Sequence, residues 1–480
     1  MFKTNIYKDA TDKKIKDIFD FAEGYKVFLK NSKIERQAVK EVVKLAKEAN
    51  FKGLNDVKEI KAGDKLYKVN KNKSVILFVV GNKPITDGLR ILGAHIDSPR
   101  LDLKAQPLYE DNGFTLLDTH YYGGIKKYQW VTTPLSIIGV IYKKDGTCLE
   151  VNIGEDLNDP IFGITDLLVH LSSSQLTKEA SKAIEGEDLD ITFSSMRNKD
   201  KNVKEYILDF LKEKYGIEET DFISAELEVV PAIRPRDYGI DRSMVAGYGH
   251  DDKVCAYPSV KAIIDMKDVE YTSCVILTDK EEIGSVGATG AHSQFFENSV
   301  AELLIKTNDN NYYSLKKALE NSKMLSCDVT GALDPLYSSA SDKKNAAFFN
   351  YGISFEKYTG ARGKSQANDS NAEYVAYIRH IMEENKIYYQ FAELGKVDKG
   401  GGGTIAYILA KYNMDVIDAG VPVLNMHAPM EIIAKADLYE SYLAYKVFLE
   451  YTESQAKEEA KPVAVIKKTK ESKKWVEIKK

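Results

Sequence analysis

The segment Asp279-Lys280-Glu281-Glu282-Ile283-Gly284-Ser285 sets two adjacent carboxylates just after the apolar run Cys274-Val275-Ile276-Leu277-Thr278 and just before a glycine. A strand delivers acidic side chains to the rim of a sheet, and turns away from it, with this kind of pattern. Neighbouring side chains on a strand face opposite ways. At a frayed strand end, however, one glutamate can hold a metal while the next reaches a water on it. An isolated Glu-Glu pair is most often solvated surface, but this pair has company elsewhere in the chain.

In Arg90-Ile91-Leu92-Gly93-Ala94-His95-Ile96-Asp97-Ser98-Pro99 an apolar strand ends in His95 and Asp97, two apart and so on one face. That is the arrangement of a histidine ligand whose ring is oriented by a neighbouring carboxylate. In Gly247-Tyr248-Gly249-His250-Asp251-Asp252-Lys253, Asp252 suits the N-cap of a helix from Val254 onward, which frees Asp251 to face a shared metal pair. Pro258 is expected to disturb that helix. Ser326-Cys327-Asp328 ends another short apolar strand in a carboxylate, and Val421-Pro422-Val423-Leu424-Asn425-Met426-His427 ends one in a histidine. The set His95, Asp97, Asp251, Glu281, Glu282, Asp328 and His427 contains imidazole and carboxylate donors but no thiolate. Such donors suit Zn²⁺, Mn²⁺ or Co²⁺ in an open hydrolytic site. They suffice for two metals about 3.5–4 Å apart, with a carboxylate bridging and a glutamate acting as general base on an activated water.

Strands and helices must bring these residues together. Residues 32–50 read as an amphipathic helix with Ser32 and Glu35 at capping-box spacing and Ile34, Ala38, Val42, Leu45 and Ala49 on one face. Leu66–Val69 and Val75–Val80 read as strands. Strand ends alternating with helices match an α/β sheet with its site at the carboxyl edge. From 105 to 238 the texture changes to short β-like runs, Ile137–Tyr142 and Cys148–Ile153 among them, then an amphipathic segment at Ile161–Leu171 and a polar passage with a mobile loop expected near 182–203. This reads as an inserted unit for assembly or substrate gating. The aromatic, glycine-rich block His120–Trp130 reads as a tight hairpin or a binding element. Lys399-Gly400-Gly401-Gly402-Gly403-Thr404 opens a helix, and its backbone N–H groups could bind a carboxylate. The domain expectation is 1–104 and 239–455 for one catalytic domain, 105–238 for the insertion, and 456–480 for a charged tail that packs loosely.

Composition sets the outer limits. With 29% charged and 44% hydrophobic residues over 480 positions, the chain is an ordinary globular mixture able to bury a large core. A net charge of -5 gives no reason to expect a nucleic-acid partner. No apolar run reaches the ~18 residues that span a bilayer, and Met1–Asn5 lacks the apolar core of a signal peptide. The four cysteines share no CxxC spacing and read as reduced thiols. A cytoplasmic location is expected.

Taken together and in order, Gly93–Arg100, Asp251-Asp252, Asp279–Ser285, Ser326–Asp328 and Asn425–His427 resemble the aspartyl aminopeptidase/aminopeptidase I family of dinuclear zinc metallopeptidases in its bacterial form. The resemblance implies an α/β zinc-peptidase catalytic domain, a mixed sheet flanked by helices, interrupted by a β-rich dimerisation domain. It implies that His95, Asp251 and Asp328 bind one Zn²⁺ and that Asp251, Glu282 and His427 bind a second, with Asp251 bridging. Asp97 would orient His95, and Glu281 would be the general base. The implied substrates are peptides with a free N-terminus, and the implied assembly is a tetrahedral dodecamer built from dimers, with a loop of the inserted domain reaching the partner's site. His120, Lys357 and Gly403 are the candidate substrate-binding residues. Lys126-Lys127-Tyr128-Gln129-Trp130 stands where eukaryotic aspartyl aminopeptidases carry a histidine, and Lys357–Lys364 also differs, so the choice between acidic and neutral N-terminal residues stays open. The alternatives are a related dinuclear carboxypeptidase or deacylase, and a non-catalytic cage subunit.

Overall fold

Alternation along the strand Ser74–Val79 sends Val75, Leu77 and Val79 to one apolar cluster and Ile76 and Phe78 to another. The strands beside it do the same. Leu92, Val275, Leu277, Leu325 and Ile417 lie on the first side, and Ile91, Ile276, Met324 and Val416 on the second. A sheet apolar on both faces must be covered on both, and here it is. The computed structural model describes residues 4–267, 269–360, 362–452, 464–468 and 475–479.

The sheet has nine strands, in the order Lys52–Gly53, Lys65–Asn70, Ser74–Val79, Thr272–Thr278, Leu89–His95, Lys323–Ser326, Asp415–Gly420, Ile353–Glu356 and Tyr389–Phe391. The four from Thr272–Thr278 to Asp415–Gly420 are mutually parallel, and their outer neighbours run antiparallel to them. The helices Asp12–Lys30, Glu35–Glu48, His250–Asp265, Ala372–Glu384 and Lys435–Glu450 pack on the first face, and Phe295–Lys306, Tyr312–Glu320 and Ala406–Ala410 on the second. The fold is α/β, with a mixed sheet flanked by helices, as expected.

Two smaller sheets complete the frame. One, of five strands, runs Arg236–Tyr238, Met244–Gly247, Glu431–Ala434, Pro422–Leu424 and Thr330–Gly331. The other is an antiparallel six-stranded sheet drawn from residues 100–231, with its own apolar cluster around Leu101, Trp130, Ile138 and Val229. Its strand Arg100–Asp111 leaves the nine-stranded sheet directly after Asp97-Ser98-Pro99. Arg100 anchors the junction. It pairs with Glu228 at 3.0 Å, donates to Asp102 at 2.8 Å and faces Glu35 at 3.5 Å, with its guanidinium over the Tyr122 ring.

Local structure departs from the sequence reading in several places. The Ser32/Glu35 capping box does not form: the helix begins after Ile34 without a side-chain cap, because Glu35 turns inward to pair with Lys73 at 2.8 Å and Arg100. The Glu281-Glu282 pair is not on a strand end but in a 3₁₀ turn, Glu281–Ile283, entered through a left-handed Lys280. The helix expected from Val254 begins at His250, with non-helical dihedrals at Asp251 and Asp252, and it runs through Pro258 to Asp265. Asp252 does not cap it; the side chain instead accepts the His95 N–H at 3.2 Å. Ile161–Leu171 forms no amphipathic helix, and Ile161, Leu167, Leu168, Val169 and Leu171 stand exposed. Part of the loop expected at 182–203 is a strand, Ile191–Ser194, paired to Phe114–Tyr122. Most of the tail lies outside the described residues; within it Ala464–Lys468 and Trp475–Lys479 pair antiparallel.

Candidate active site

Parallel strands end where their helices or turns begin, and ligand sites of open α/β sheets gather at those carboxyl ends. Three parallel neighbours do this here. His95 closes Leu89–His95, Asp328 follows Lys323–Ser326 by two residues, and Glu281 and Glu282 follow Thr272–Thr278. The Cys327 N–H donates to the Gly93 carbonyl at 2.6 Å, holding the Asp328 segment against the His95 strand. On the far side, a Cβ on Gly420 would meet the Asp328 carbonyl oxygen at 1.6 Å, so only glycine permits that approach.

The five-stranded sheet supplies the rest. Asp251 follows Met244–Gly247 through the left-handed Gly249, and His427 (φ 66°) lies in the loop between Pro422–Leu424 and Glu431–Ala434. The Asp251-Asp252 peptide bond is cis.

Asp251 sits between the two imidazoles. Its Oδ1 is 3.1 Å from His95 Nε2 and its Oδ2 is 3.3 Å from His427 Nε2. Glu282 Oε2 is also 3.3 Å from His427 Nε2, and Asp328 Oδ1 and Glu281 Oε2 each lie 3.9 Å from His95 Nε2. Donor atoms of His95, Asp251 and Asp328 fall within 4.8 Å of one another, as do those of Asp251, Glu282 and His427. Both rings are anchored at Nδ1, His95 to the Asp97 carbonyl at 3.1 Å and His427 to the Gly124 carbonyl at 2.8 Å. With Nδ1–H given to a carbonyl, Nε2 is the ring atom that meets the carboxylate oxygens. Imidazole nitrogens and carboxylate oxygens converging in a buried site are a donor set that fits a divalent cation between them. Glu282 Oε1, buried and without a hydrogen-bond partner, belongs to the same unmet demand.

Asp97 is fully buried and serves several neighbours. Its Oδ1 is 3.3 Å from His95 Nδ1 and accepts the Glu281 N–H at 3.1 Å; its Oδ2 accepts the Glu282 N–H at 3.2 Å and the Tyr122 hydroxyl at 2.8 Å. One carboxylate thus ties the His95 ring to the turn that carries both glutamates.

The local electrostatics follow from crowding five carboxylates out of water. Burial pushes Glu281 up to about 7, with Asp97 and Asp251 adding to the rise and His95 opposing it. Burial also raises Glu282 and Asp328 well above the ordinary carboxylate range. Asp251 goes the other way: despite the cost of burial, hydrogen bonds and charge from His427 and His95 hold it low. His427 rises to about 10, because Asp251 and Glu282 outweigh its own desolvation. Such a surplus of buried negative charge favours bound cations.

The cluster forms one end of a cleft of about 660 Å³. The same cleft is lined by Glu356, Tyr358, Arg362, Lys364, Glu393 and Lys396, and by the glycines Gly400–Gly403. Gly403 therefore faces the cleft. Lys357 is exposed and does not line it, since alternation along the chain turns its neighbours Glu356 and Tyr358 inward instead. His120 lies exposed on Phe114–Tyr122, opposite Asp102, and is not among the residues lining this chain's cleft. Glu431 carries no role in the sequence reading, and Tyr122 and Gly124 enter it only as part of the His120–Trp130 block, without their contacts to Asp97 and His427. Glu431 could have been noticed as an acid four residues past His427 at a strand start; a backbone carbonyl such as that of Gly124 leaves no residue-type signal at all.

An α/β sheet with histidines and carboxylates converging at its carboxyl edge defines a metallohydrolase class, and the family follows from comparison. The model of the aminopeptidase I zinc metalloprotease (M18) family matches residues 28–449, and the chain belongs to that family. It is a metallo-aminopeptidase, a hydrolase of peptide bonds. The chain is 54% identical over 453 residues to a probable M18 family aminopeptidase 1 of Clostridium acetobutylicum, covering 93% of this chain and 97% of that protein. A crystal structure of an M18 aminopeptidase from Thermotoga maritima matches with a TM-score of 0.91 at 41% identity, covering 94% of this chain and all (100%) of that one. The crystal structure of aminopeptidase I from Clostridium acetobutylicum matches with a TM-score of 0.88 at 51% identity, over 94% and 100% of the two chains.

Proposed function

We propose that the cleft hydrolyses the N-terminal peptide bond of peptides with two zinc ions, one held by His95, Asp251 and Asp328 and the other by Asp251, Glu282 and His427. The observation that carries the reading is Asp251, whose two carboxylate oxygens each face a different histidine Nε2, at 3.1 and 3.3 Å. Bound zinc supplies Lewis acidity, lowering the pKa of water and polarising the scissile carbonyl. Everything else is done by the chain. Glu281, beside the cluster and held high by burial, takes the proton of the attacking water and passes it to the leaving amine. Asp97 fixes the His95 ring and, through the Glu281 and Glu282 amides, the turn that carries the base. Arg362, Lys364 and Lys396 share the cleft lining with Glu356 and Glu393, a mixed surface that supports no single charge preference for the N-terminal residue.

The unit drawn from 105–238 serves assembly in this reading, with 1–104 and 239–455 forming the catalytic domain. Leu157, Leu168, Val169, Leu171 and Leu176 stand more than half exposed within that unit, an apolar run that calls for cover. Copies of this chain, in dimers that build a tetrahedral dodecamer, provide it. Among the described residues no helix is long and apolar enough to cross a membrane, and we place the enzyme in the cytoplasm.

The test is turnover of aminoacyl p-nitroanilides and their N-acetylated counterparts by chelated protein re-supplied with Zn²⁺, Mn²⁺ or Co²⁺. Metal-dependent release from free amines alone is expected. Release from the N-acetylated set would move the assignment to a deacylase, and no release from either set with metal bound would favour a non-catalytic cage subunit.

A further inference from the structure

The two ligand segments of the five-stranded sheet share an anchor outside the metal cluster. Glu431, almost fully buried, accepts the Asp251 N–H on Oε2 at 3.0 Å and the His427 N–H on Oε1 at 2.8 Å. Neither amide belongs to regular structure. Asp251 has φ −74° and ψ 108° within a helix that begins around it, and His427 has a left-handed φ of 66°. Without Glu431 both N–H groups would lose their hydrogen-bond acceptor, and each residue would lose the contact that sets its backbone.

The sheet explains how one side chain reaches both. Glu431 opens the strand Glu431–Ala434, which lies between Met244–Gly247, leading to Asp251, and Pro422–Leu424, leading to His427. Register pairs Glu431 with Gly247, so its side chain emerges beside the turn that carries Asp251. The Asp251 residue is held at its other end as well: Ser98 Oγ donates to the Asp251 carbonyl at 2.7 Å, and the buried Lys253 Nζ donates to Ser98 Oγ at 2.6 Å. Among the described residues, Glu431 is the one side chain that accepts from the backbone N–H groups of both Asp251 and His427. Two backbone N–H groups held by the two oxygens of one buried side chain have their relative position fixed by it.

We infer that Glu431 is a positioning residue for the metal centre, a carboxylate that does not itself ligate but holds Asp251 and His427 at the spacing the second zinc site requires. The inference rests on the proposal that these two residues are ligands. An amide in place of the carboxylate keeps one acceptor and turns a donor against the other backbone N–H, so one ligand segment is released.

The experiment compares the full-length wild type with Glu431→Gln, Glu431→Asp and a control, Glu440→Gln. Glu440 is likewise buried and accepts the Tyr388 N–H at 3.0 Å while pairing with Lys14, away from the cluster. Zinc stoichiometry and affinity are read by competition with a chromogenic chelator, and apo-protein stability by urea titration. Glu431→Gln is expected to bind its weaker zinc about 10–100-fold less tightly, with a urea midpoint lowered no more than in Glu440→Gln. Glu440→Gln is expected to keep wild-type zinc affinity. Glu431→Asp, charged but too short to span both amides, should also lose zinc affinity, and it carries the test if the glutamine variant fails to fold. Wild-type zinc affinity in the Glu431 variants would overturn the inference, as would an equal loss in Glu440→Gln, which would mark the effect as general destabilisation. Wild-type zinc binding in Asp251→Ala would instead sink the ligand assignment, leaving the Glu431 question without its premise.

Discussion

The hydroxyl of Tyr122, on the six-stranded sheet, donates to Asp97 Oδ2 at 2.8 Å. A residue of that sheet thereby touches the carboxylate that faces the His95 ring and anchors the turn of Glu281 and Glu282. The Tyr122 ring lies in turn under the guanidinium of Arg100, which pairs with Glu228 and Asp102.

Tyr122→Phe keeps the ring and removes this donor. The hydrogen bond is to an ionised group, so its loss should cost about 1.5–3 kcal/mol. Zinc affinity should fall by about tenfold or more, since outer partners of a ligating histidine carry that much. Thermal melts of apo-protein and chelator competition measure the two effects separately, and an unchanged zinc affinity would show that the two backbone N–H donors hold Asp97 without help.

Glu281→Gln should retain zinc and stability while lowering kcat by about 10²–10⁴-fold, the usual worth of a positioned base. Burial sets Glu281 at about 7. Cations in the cluster favour its anion and move it lower, so activity should rise with pH along an acid limb lying below 7. That limb should be missing from the residual activity of the variant; its survival there would assign it to another group.

Asp251 and Asp328 should separate in a metal count. Asp251 belongs to both donor groups and Asp328 to one. Asp251→Ala is expected to empty both sites, whereas Asp328→Ala should leave zinc at the site of Glu282 and His427. Elemental analysis of purified variants reads the difference directly, and equal losses would argue against a bridging Asp251.

Asp437 offers a pH test away from the metals. It is fully buried, accepts the Asn350 and Gly352 N–H groups at 2.8 and 2.7 Å, and is pushed by burial up to about 8. A carboxyl raised in the folded state contributes most below its unfolded pKa of about 4, and that contribution drains away as pH climbs through 8. Over that window stability should fall by at most about 1.4 kcal/mol per pH unit from this group. Asp437→Asn should be less stable overall but should flatten the slope of the urea midpoint against pH; an unaltered slope would place the titration elsewhere.

What could be read in advance depended on where the chemistry left a mark in residue types. His95, Asp251, Glu281, Glu282, Asp328 and His427 are all charged or titratable residues next to apolar runs, and the structure gathers them from two sheets into one cluster. Their immediate backbone was read less well. Asp252 looked like a cap and instead takes the His95 amide, and Glu35 looked like half of a capping box and instead pairs with Lys73 and Arg100. Local rules assign a polar side chain its nearest backbone partner; for Glu35 the buried cations Lys73 and Arg100 win because an unpaired charge in the interior costs more than an unmade cap, and for Asp252 a buried amide distant in sequence takes the side chain instead.

By itself the sequence determined the class of the sheet, since strands apolar on both faces have to be covered on both. It determined the donor chemistry as well, since imidazoles and carboxylates without thiolates admit only a narrow set of metals. Tertiary structure alone decided which donors meet. Asp251 and His427 come from opposite neighbours of one strand, His95 and Asp328 from two parallel strands, and no spacing along the chain encodes those distances. It alone decided the supporting contacts too, the Gly124 carbonyl on His427, the Tyr122 hydroxyl on Asp97 and the Glu431 clamp. These depend on register and on strand neighbours far apart in sequence, and each is made by an ordinary residue whose type becomes informative only once the sheets have formed.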